Sequence, residues 1–248
     1  MNEFFNFKKF TIDQNRSAMK VGTDGVLLGA WAFLGRNTET ILDIGAGTGL
    51  IALMLAQRSA AENIDAIEID ADAYEQCVEN FEASDWGDRL FCYHTALNDF
   101  VTEWEDTYDL IVSNPPFFKA PKPRRPLTPP RGQDSIDSSR KMARFYDSLP
   151  FEELLEGVSK LLSGNGVFAT IIPFKEEERF LEIASRFKLY PQRKTRVRGN
   201  PNSEVKRSLL EFGFETFSVK TDELTIELER HIYTSEYSAL TQDFYLKM

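Results

Sequence analysis

The sequence contains few of the residue types that build metal centres and disulfide frameworks. It has two cysteines and two histidines among 248 residues. Cys77 and Cys92 have neither metal-binding nor redox spacing, and we expect both to be reduced thiols. His94 and His231 are too scattered to form a zinc cluster or to begin a Ser-His-Asp triad. The composition therefore predicts no metal site.

Long hydrophobic runs are also missing. There is no stretch of about 18 consecutive apolar residues, and residues 1–4 (MNEF) carry no basic-then-apolar signal region. These absences predict a soluble, cytoplasmic protein. With 42% apolar residues the chain can bury a large core, which suits one large domain or one domain with appendages.

Acidic residues outnumber basic ones, and the formal net charge is −10 at pH 7. The basic residues are nevertheless concentrated in two runs, at 119–144 and 186–207, each with eight basic residues and at most two acidic ones. Such asymmetry would draw a polyanion to one face, although two ordinary solvated surfaces would give the same pattern. The candidates for phosphate contacts are Lys119, Lys122, Arg124, Arg125, Arg193, Lys194, Arg196 and Arg198.

An unusual turn follows an apolar segment in the middle of the chain. Residues 108–112 (YDLIV) predict a buried strand, which the prolines of residues 113–118 (SNPPFF) end. An exocyclic amine is a weak nucleophile because its lone pair is delocalised, and two acceptors can hold its N–H bonds. Asn114 offers a side-chain oxygen and Pro115 a backbone carbonyl, while Phe117 is placed to stack on a planar substrate. The alternative is a structural Pro-Pro turn with a buried phenylalanine.

A glycine-rich turn occurs earlier in the chain. Residues 40–44 predict a buried strand, GAGTG follows at 45–49, and residues 50–58 predict a helix. The spacing is D-x-G-x-G-x-G, which differs from the G-x-G-x-x-G of nicotinamide sites. An acid before the first glycine would repel a pyrophosphate and attract the ammonium group of a methionine-type cofactor. The candidate residues are Asp43, Gly45, Gly47 and Gly49.

Two further segments add candidates for the same cofactor. Glu68 ends the next predicted strand about 20 residues after the glycines, where a carboxylate binds ribose hydroxyls. Asp70 is expected to cap the helix that follows. Near the N-terminus, residues 26–34 predict a helix capped near Thr23 or Asp24. Lys20 and Asp24 are candidates for the amino-acid end of the cofactor, although capping alone would also explain these polar residues.

The remaining segments predict a mixed α/β chain. Residues 119–138 are a Pro/Arg-rich exposed loop, and a helix at 140–162 is ended by residues 163–166 (SGNG). A strand is predicted at 167–173 and a helix at 175–187. Further strands are predicted at 193–198, 207–212 and 224–228, and the tail from residue 237 has helical spacing.

The motifs together resemble those of the S-adenosylmethionine-dependent methyltransferases with a Rossmann-like fold, and Asn-Pro-Pro-Phe resembles the signature of the members that methylate amino groups. Residues 7–10, 20–25 and 28–31 resemble the bacterial tRNA adenine-N6 methyltransferases that modify adenine 37 of valine tRNA. The resemblance implies a class I methyltransferase with a seven-stranded mixed sheet flanked by helices at 36–248, and an extension at 1–35 covering the cofactor pocket.

The same resemblance implies S-adenosyl-L-methionine as cofactor, tRNA as partner and a monomer that needs no metal. The family often places an acid after the third strand to bind the cofactor adenine. This chain departs from that pattern, and Asn98 or a backbone group is the expected substitute.

Three other functions remain open from the residues. A guanine-N2 methyltransferase of ribosomal RNA uses similar chemistry. A glutamine-amide methyltransferase of release factors shares the Asn-Pro-Pro-aromatic turn but usually has a longer N-terminal domain. A non-catalytic RNA-binding protein on a decayed methyltransferase fold is the alternative from another class, although the retained Asp43, Glu68 and Asn114 speak against it.

Overall fold

The computed structural model describes residues 3–17, 19–116, 149–216 and 218–247. The strands in this part of the chain are β1 (Phe4–Asn6), β2 (Thr11–Asp13), β3 (Thr40–Ile44), β4 (Asn63–Glu68), β5 (Leu90–His94), β6 (Tyr108–Ser113), β7 (Leu162–Pro173), β8 (Tyr190–Arg198), β9 (Val205–Gly213), β10 (Lys220–Thr225), β11 (Glu227–Glu229) and β12 (Ile232–Tyr233). The helices are α1 (Thr23–Trp31), α2 (Leu50–Arg58), α3 (Ala71–Glu82), α4 (Leu97–Glu103), α5 (Phe151–Leu161), α6 (Glu177–Arg186) and α7 (Ser235–Thr241), and a 3-10 turn covers Phe174–Glu176.

Within these residues, eight strands form one mixed sheet in the order β10-β8-β9-β7-β6-β3-β4-β5. Strands β3 to β7 run parallel, β9 is antiparallel to both β7 and β8, and β10 is parallel to β8. The predicted fold class is confirmed. The sheet has one strand more than the predicted seven, because Lys220–Thr225 pairs along the edge of β8.

The core lies on both faces of the sheet. Side chains alternate along each strand, so Ile41 packs with helices α1, α2 and α3 on one face. Leu42 and Ile44 pack with α4, α5 and α6 on the opposite face. Strands β3 and β6, in the middle of the sheet, are buried along most of their length, which explains why their sequences are nearly continuous apolar runs.

Two local predictions are corrected by the structure. The N-cap of α1 is Gly22, and neither Thr23 nor Asp24 caps the helix with its side chain. The residues expected to terminate the helix before β7 lie inside that strand, because Leu162 pairs with Tyr108 and Val167 pairs with Leu110 across an irregularity. The cap predicted at Asp70 is confirmed, since its carboxylate accepts the Ala73 N–H at 2.9 Å.

No helix in the described ranges has both the length and the apolar character needed to cross a membrane.

Candidate active site

Three neighbouring parallel strands end at one level on the carboxyl edge of the sheet. Ile44 of β3 lies in register with Ile67 of β4 on one side and with Ser113 of β6 on the other. The residues that come next are Gly45, Glu68 and Asn114. From β3 the chain passes through α2 to β4 and through α3 to β5 on one side, and it then returns through α4 to β6 on the other side of β3. The strand order therefore reverses at this edge, which makes it a switch point, where open α/β sheets bind their ligands. The fold therefore brings the glycine turn, the ribose acid and the Asn-Pro-Pro turn together.

The glycine turn has a backbone that favours glycine at three positions. Gly45, Gly47 and Gly49 have φ values of +73°, +58° and +78°. A Cβ atom at Gly45 or Gly47 would meet nothing within 4 Å, so the turn leaves open space there. A Cβ atom at Gly49 would lie 2.5 Å from the ring of Phe81. Gly45 and Gly47 therefore offer room for a ligand, whereas Gly49 allows α2 to pack against α3.

Glu68 fixes the shape of this turn. One carboxylate oxygen accepts the Gly47 N–H at 2.8 Å. The other accepts the N–H groups of Ile69 and Asp70, both at 2.9 Å. An ionised carboxylate can accept about four hydrogen bonds, so capacity remains for a hydroxyl group. The side chain predicted to bind ribose thus also holds the glycine turn to the end of β4.

Asp43 is a fully buried carboxylate beneath the glycine turn. Its Oδ2 accepts the Ala52 N–H at 3.2 Å, while Oδ1 has no hydrogen-bond partner among the described residues. Burial raises the pKa of Asp43 to about 7, and the hydrogen bond from Ala52 offsets only part of this effect. A buried acceptor without a partner is costly. A cationic group would satisfy this oxygen, and the role of Asp43 at the cationic end of S-adenosylmethionine stays a prediction.

Asn114 is half-buried and Pro115 is buried, directly after β6. The strand end is tied to both neighbouring strands by hydroxyl groups. Ser113 Oγ donates to the Ile44 carbonyl at 2.9 Å, and Thr170 Oγ1 donates to the Ser113 carbonyl at 2.8 Å. The backbone that presents Asn114 is therefore anchored from β3 and from β7.

The segment before α1 contacts the glycine turn through α3. The Asn80 side chain accepts the Asp13 N–H and donates to the carbonyls of Asp13 and Thr48, each at 2.9 Å. Sequence reasoning did not single out Asn80. The pattern that could have identified Asn80 is a polar residue on the same helix face as Cys77 and Phe81, both of which are buried.

Three predicted cofactor residues make contacts within the chain. Lys20 Nζ donates to the main-chain carbonyl of Gln14. Asp24 accepts a 2.7 Å hydrogen bond from Arg207 Nε on β9. Asn98 is exposed on the first turn of α4 and donates to Glu153 of α5 at 3.2 Å. Their roles in cofactor binding stay predictions, and no described contact links any of them to the glycine turn.

The basic residues of β8 are paired with carboxylates of the chain. Arg193 makes two hydrogen bonds to Glu211, at 2.8 and 2.7 Å, and its guanidinium lies 3.8 Å from the centre of the Trp31 ring. This is the geometry of an interior clamp between the sheet and α1. The RNA-binding role predicted for Arg193 would require breaking that clamp.

The basic residues on the other face of β8 are also paired with carboxylates. Glu177 is buried and lies 3.7 Å from Lys194 Nζ and 3.0 Å from Arg196 Nη2. Burial would raise the pKa of Glu177, but hydrogen bonds from Arg196 and Ser208 lower it overall. Arg198 pairs with Glu223 at 2.6 Å. Binding RNA through these cations remains a prediction, and each would exchange a carboxylate for a phosphate.

Several predicted site residues lie outside the described residues. They are Phe117, Lys119, Lys122, Arg124 and Arg125. Their assigned roles, base stacking for Phe117 and phosphate contacts for the others, stay predictions.

Solved structures with a similar fold are methyltransferases. A crystal structure described as a predicted O-methyltransferase from Agrobacterium tumefaciens matches with a TM-score of 0.63 at 16% identity, covering 89% of this chain and 96% of that chain. A ribosomal protein L11 methylase from Lactobacillus delbrueckii subsp. bulgaricus matches with a TM-score of 0.52 at 14% identity, covering 77% of each chain. The fold is that of the class I S-adenosylmethionine-dependent methyltransferases.

Sequence comparison narrows this class. Residues 25–127 match the family model of the methyltransferase small domain. The tRNA1(Val) (adenine(37)-N6)-methyltransferase of Flavobacterium johnsoniae is 58% identical over 245 residues, covering 98% of this chain and 100% of that protein. The protein of the same name from Christiangramia forsetii is 57% identical over 249 residues, covering 100% and 99%. This chain belongs to the tRNA1(Val) (adenine(37)-N6)-methyltransferase family.

Proposed function

We propose that this chain transfers a methyl group from S-adenosylmethionine to N6 of adenine 37 in valine tRNA, and that it acts in the cytoplasm as a monomer. The observation that carries the proposal is the common level of Gly45, Glu68 and Asn114 at the carboxyl edge of the sheet. This places the residues suited to the methyl donor beside the residue suited to an amine. The names of the two relatives support the choice of tRNA and of adenine N6.

The residues around the glycine turn fit the methyl donor. S-adenosylmethionine, when bound, supplies an electrophilic methyl group on a positively charged sulfur. Asp43 would hold its ammonium group through the orphan Oδ1 atom. Glu68 would accept from the ribose hydroxyls, and Gly45 and Gly47 would allow the backbone to approach the ligand closely.

The Asn-Pro-Pro turn would position the amine. Asn114 Oδ1 and the Pro115 carbonyl are acceptors for the two N–H bonds, and holding both directs the nitrogen lone pair away from the base plane. The Ser113 and Thr170 hydroxyls anchor the end of the strand that carries these acceptors. Catalysis here is a matter of orientation, so small displacements of Asn114 would cost rate.

The experiment that tests the proposal is incubation with unfractionated tRNA and a labelled methyl donor, followed by identification of the labelled nucleoside. We expect N6-methyladenosine. In parallel incubations with ribosomal RNA and with a release factor, labelled N2-methylguanosine or a labelled glutamine would support the corresponding alternative instead. Failure to bind S-adenosylmethionine in calorimetry would support a non-catalytic RNA-binding protein.

Replacing Asn114 tests the role of the turn. We expect Asn114→Ala to lower kcat by roughly 100-fold, because the amine loses one of its two acceptors. The affinity for S-adenosylmethionine should change little. The matched control is Asn202→Ala, which removes a carboxamide from an exposed turn between β8 and β9. Unchanged turnover of the Asn114 variant would remove this residue from the chemistry.

A further inference from the structure

A cavity of about 340 Å³ lies between the N-terminal segment, α1 and the C-terminal segment. Four aromatic side chains line it, and we name it the tyrosine cavity. These side chains are Phe5, Tyr233, Tyr237 and Tyr245. Its volume falls in the range of pockets that bind small planar ligands, roughly 300–1,000 Å³. The cavity is separate from the glycine turn, and none of the site residues described above contributes to it.

The rings are held in fixed positions. The Tyr233 and Tyr237 rings are 5.3 Å apart and inclined by 37°, and the Phe5 and Tyr245 rings are 6.2 Å apart. Tyr237 is buried, whereas Tyr233 is 38% exposed. The short β11–β12 hairpin holds Tyr233 opposite Glu227. Tyr233 is therefore a partly exposed aromatic face beside the buried ring of Tyr237, the kind of surface on which bases stack.

The tyrosine cavity opens at the same edge of the sheet as Asn114. Ile226 and Glu227, which line the cavity, donate backbone N–H groups to Arg198 and Gly199 at the carboxyl end of β8. Strand β8 runs parallel to β6, since both are linked through β7 and β9. Strand β8 lies three strand spacings from β6 and β10 lies four, which correspond to about 14 and 19 Å.

The N-terminus of α1 borders the cavity. Gly22 and Thr23, at the N-terminus of α1, belong to the lining, and no side chain caps these N–H groups. A helix N-terminus carries a partial positive charge that favours phosphate. Among the described lining residues, Lys247 adds one ammonium group and Glu227 one carboxylate.

We infer that the tyrosine cavity binds a second, unpaired base of the RNA substrate, a few nucleotides away from the adenine presented to Asn114. The inference rests on the proposed function. An RNA strand that follows the carboxyl edge from β6 toward β10 brings a neighbouring nucleotide to the cavity. The base stacks on Tyr233, and its phosphate lies toward the N-terminus of α1. The cavity reads the unpaired character of the strand, because a base within a duplex cannot enter it.

The test compares two single-stranded RNA probes, an adenine-centred trinucleotide and a strand of roughly ten nucleotides around the same adenine. We expect Tyr233→Ala to weaken binding of the longer strand about tenfold, since stacking of one base is lost. Binding of the trinucleotide should not change, because it does not reach the cavity. With unfractionated tRNA as substrate, KM should rise while kcat at saturation stays the same.

Two further variants separate stacking from damage to the fold. Tyr233→Phe keeps the ring and should bind the longer strand as the unchanged chain does. Tyr190→Ala removes a tyrosine from the first position of β8, at the opposite edge of the sheet, and should leave both affinities unchanged.

Equal loss for both probes, or no loss for the longer strand, would overturn the inference while leaving the proposed function intact. The inference would also be overturned if Tyr233→Ala weakened the binding of free adenosine monophosphate but not of the longer strand. In that case the cavity would bind a mononucleotide and not a base of the RNA substrate. An unchanged chain that methylates no tRNA and binds neither probe would overturn both proposals.

Discussion

Asp43 is a buried carboxylate whose ionisation is linked to the stability of the fold. Its carboxylate is removed from water and receives a hydrogen bond at one oxygen only. Desolvation therefore raises its pKa to about 7, whereas an aspartate in an unfolded chain has a pKa of about 3.9. The folded chain without cofactor thus binds an additional proton between these two pH values. Stability from this group is present below about pH 4 and is lost as the pH rises through about 7.

Replacing Asp43 by asparagine should remove this pH dependence. Relative to the unchanged chain, Asp43→Asn should gain free energy of unfolding between pH 5 and 8.5, by up to about 4 kcal/mol. The measurement is the thermal midpoint without cofactor across that pH range. The same variant should bind S-adenosylmethionine more weakly, since the carboxylate for its ammonium group is gone.

The control for this comparison is Asp72→Asn, at an exposed position of α3. It removes one carboxylate without changing a buried site, so its pH profile should follow that of the unchanged chain. Parallel profiles for all three proteins would show that Asp43 ionises as readily in the folded chain as in the unfolded one.

At the scale of elements, the active-site edge depends on how strand ends are joined. The Ser113 and Thr170 hydroxyls connect β3, β6 and β7 at the level just before Asn114. Both residues are fully buried, so these hydrogen bonds are not in competition with water. We propose Ser113 and Thr170 as positioning residues, because they would act on the substrate only through the backbone that presents Asn114.

Thr170→Val should lower kcat, although the stability that it loses should be no more than that of a similarly buried threonine elsewhere. Loss of the hydroxyl leaves the Ser113 carbonyl without that donor and costs about 1 kcal/mol of folding free energy. The matched control is Thr241→Val, since Thr241 is equally buried and donates to the Tyr237 carbonyl within α7, an element that does not contact the Asn-Pro-Pro turn through any described hydrogen bond. Both variants should lose similar stability in denaturant titrations, and turnover should fall only in Thr170→Val. Equal turnover in the two variants would show that Thr170 does not position Asn114.

At the scale of the whole molecule, the two ends of the described chain are bound to each other. Phe7 and Tyr245 form a β-bridge, and Lys8 donates its N–H to the Phe244 carbonyl at 2.8 Å. Gln57 of α2 donates to the Asp243 carbonyl at 2.9 Å. The N-terminal segment is therefore supported by residues more than 200 positions later in the sequence.

Phe244→Ala tests this support. Phe244 is 2% exposed in the core cluster that also contains Phe7, and its truncation should cost about 3–5 kcal/mol of unfolding free energy. In this variant, the backbone amides of residues 4–13 should exchange hydrogen faster than they do in the unchanged chain. The amides of β3 and β4 should be affected less. The control is Phe91→Ala, because Phe91 is 44% exposed and should cost much less. Unchanged exchange in the N-terminal segment would show that it is held independently of the tail.

Much of the central sheet follows from local sequence. The apolar run of β3, the three glycines and the apolar face of α2 predicted their elements at the observed residues, because strand, turn and helix each have a distinct local pattern. The motif order then predicted the meeting of Asp43, Glu68 and Asn114, since parallel strands expose their carboxyl ends at one edge. The family comparison confirms the resemblance on which the cofactor rests.

Other features depended on partners distant in sequence. The basic run at 193–198 predicts a surface for phosphate, yet its cations meet Glu177, Glu211 and Glu223, which come from other elements. The edge strand β10 and the tyrosine cavity likewise arise from contacts between segments that share no motif. Spacing within a run carries no information about which carboxylate will fold against it.

The sequence by itself determined the order of elements, the left-handed glycine turn and the residues that we propose for the cofactor and the amine. These depend on backbone preferences and on chemistry carried within short segments. Only the tertiary structure decided which charges are neutralised, which hydroxyls hold the Asn-Pro-Pro turn, and where aromatic rings from both ends of the chain enclose a cavity. Those outcomes depend on distances between segments far apart along the chain, and such distances exist only after folding.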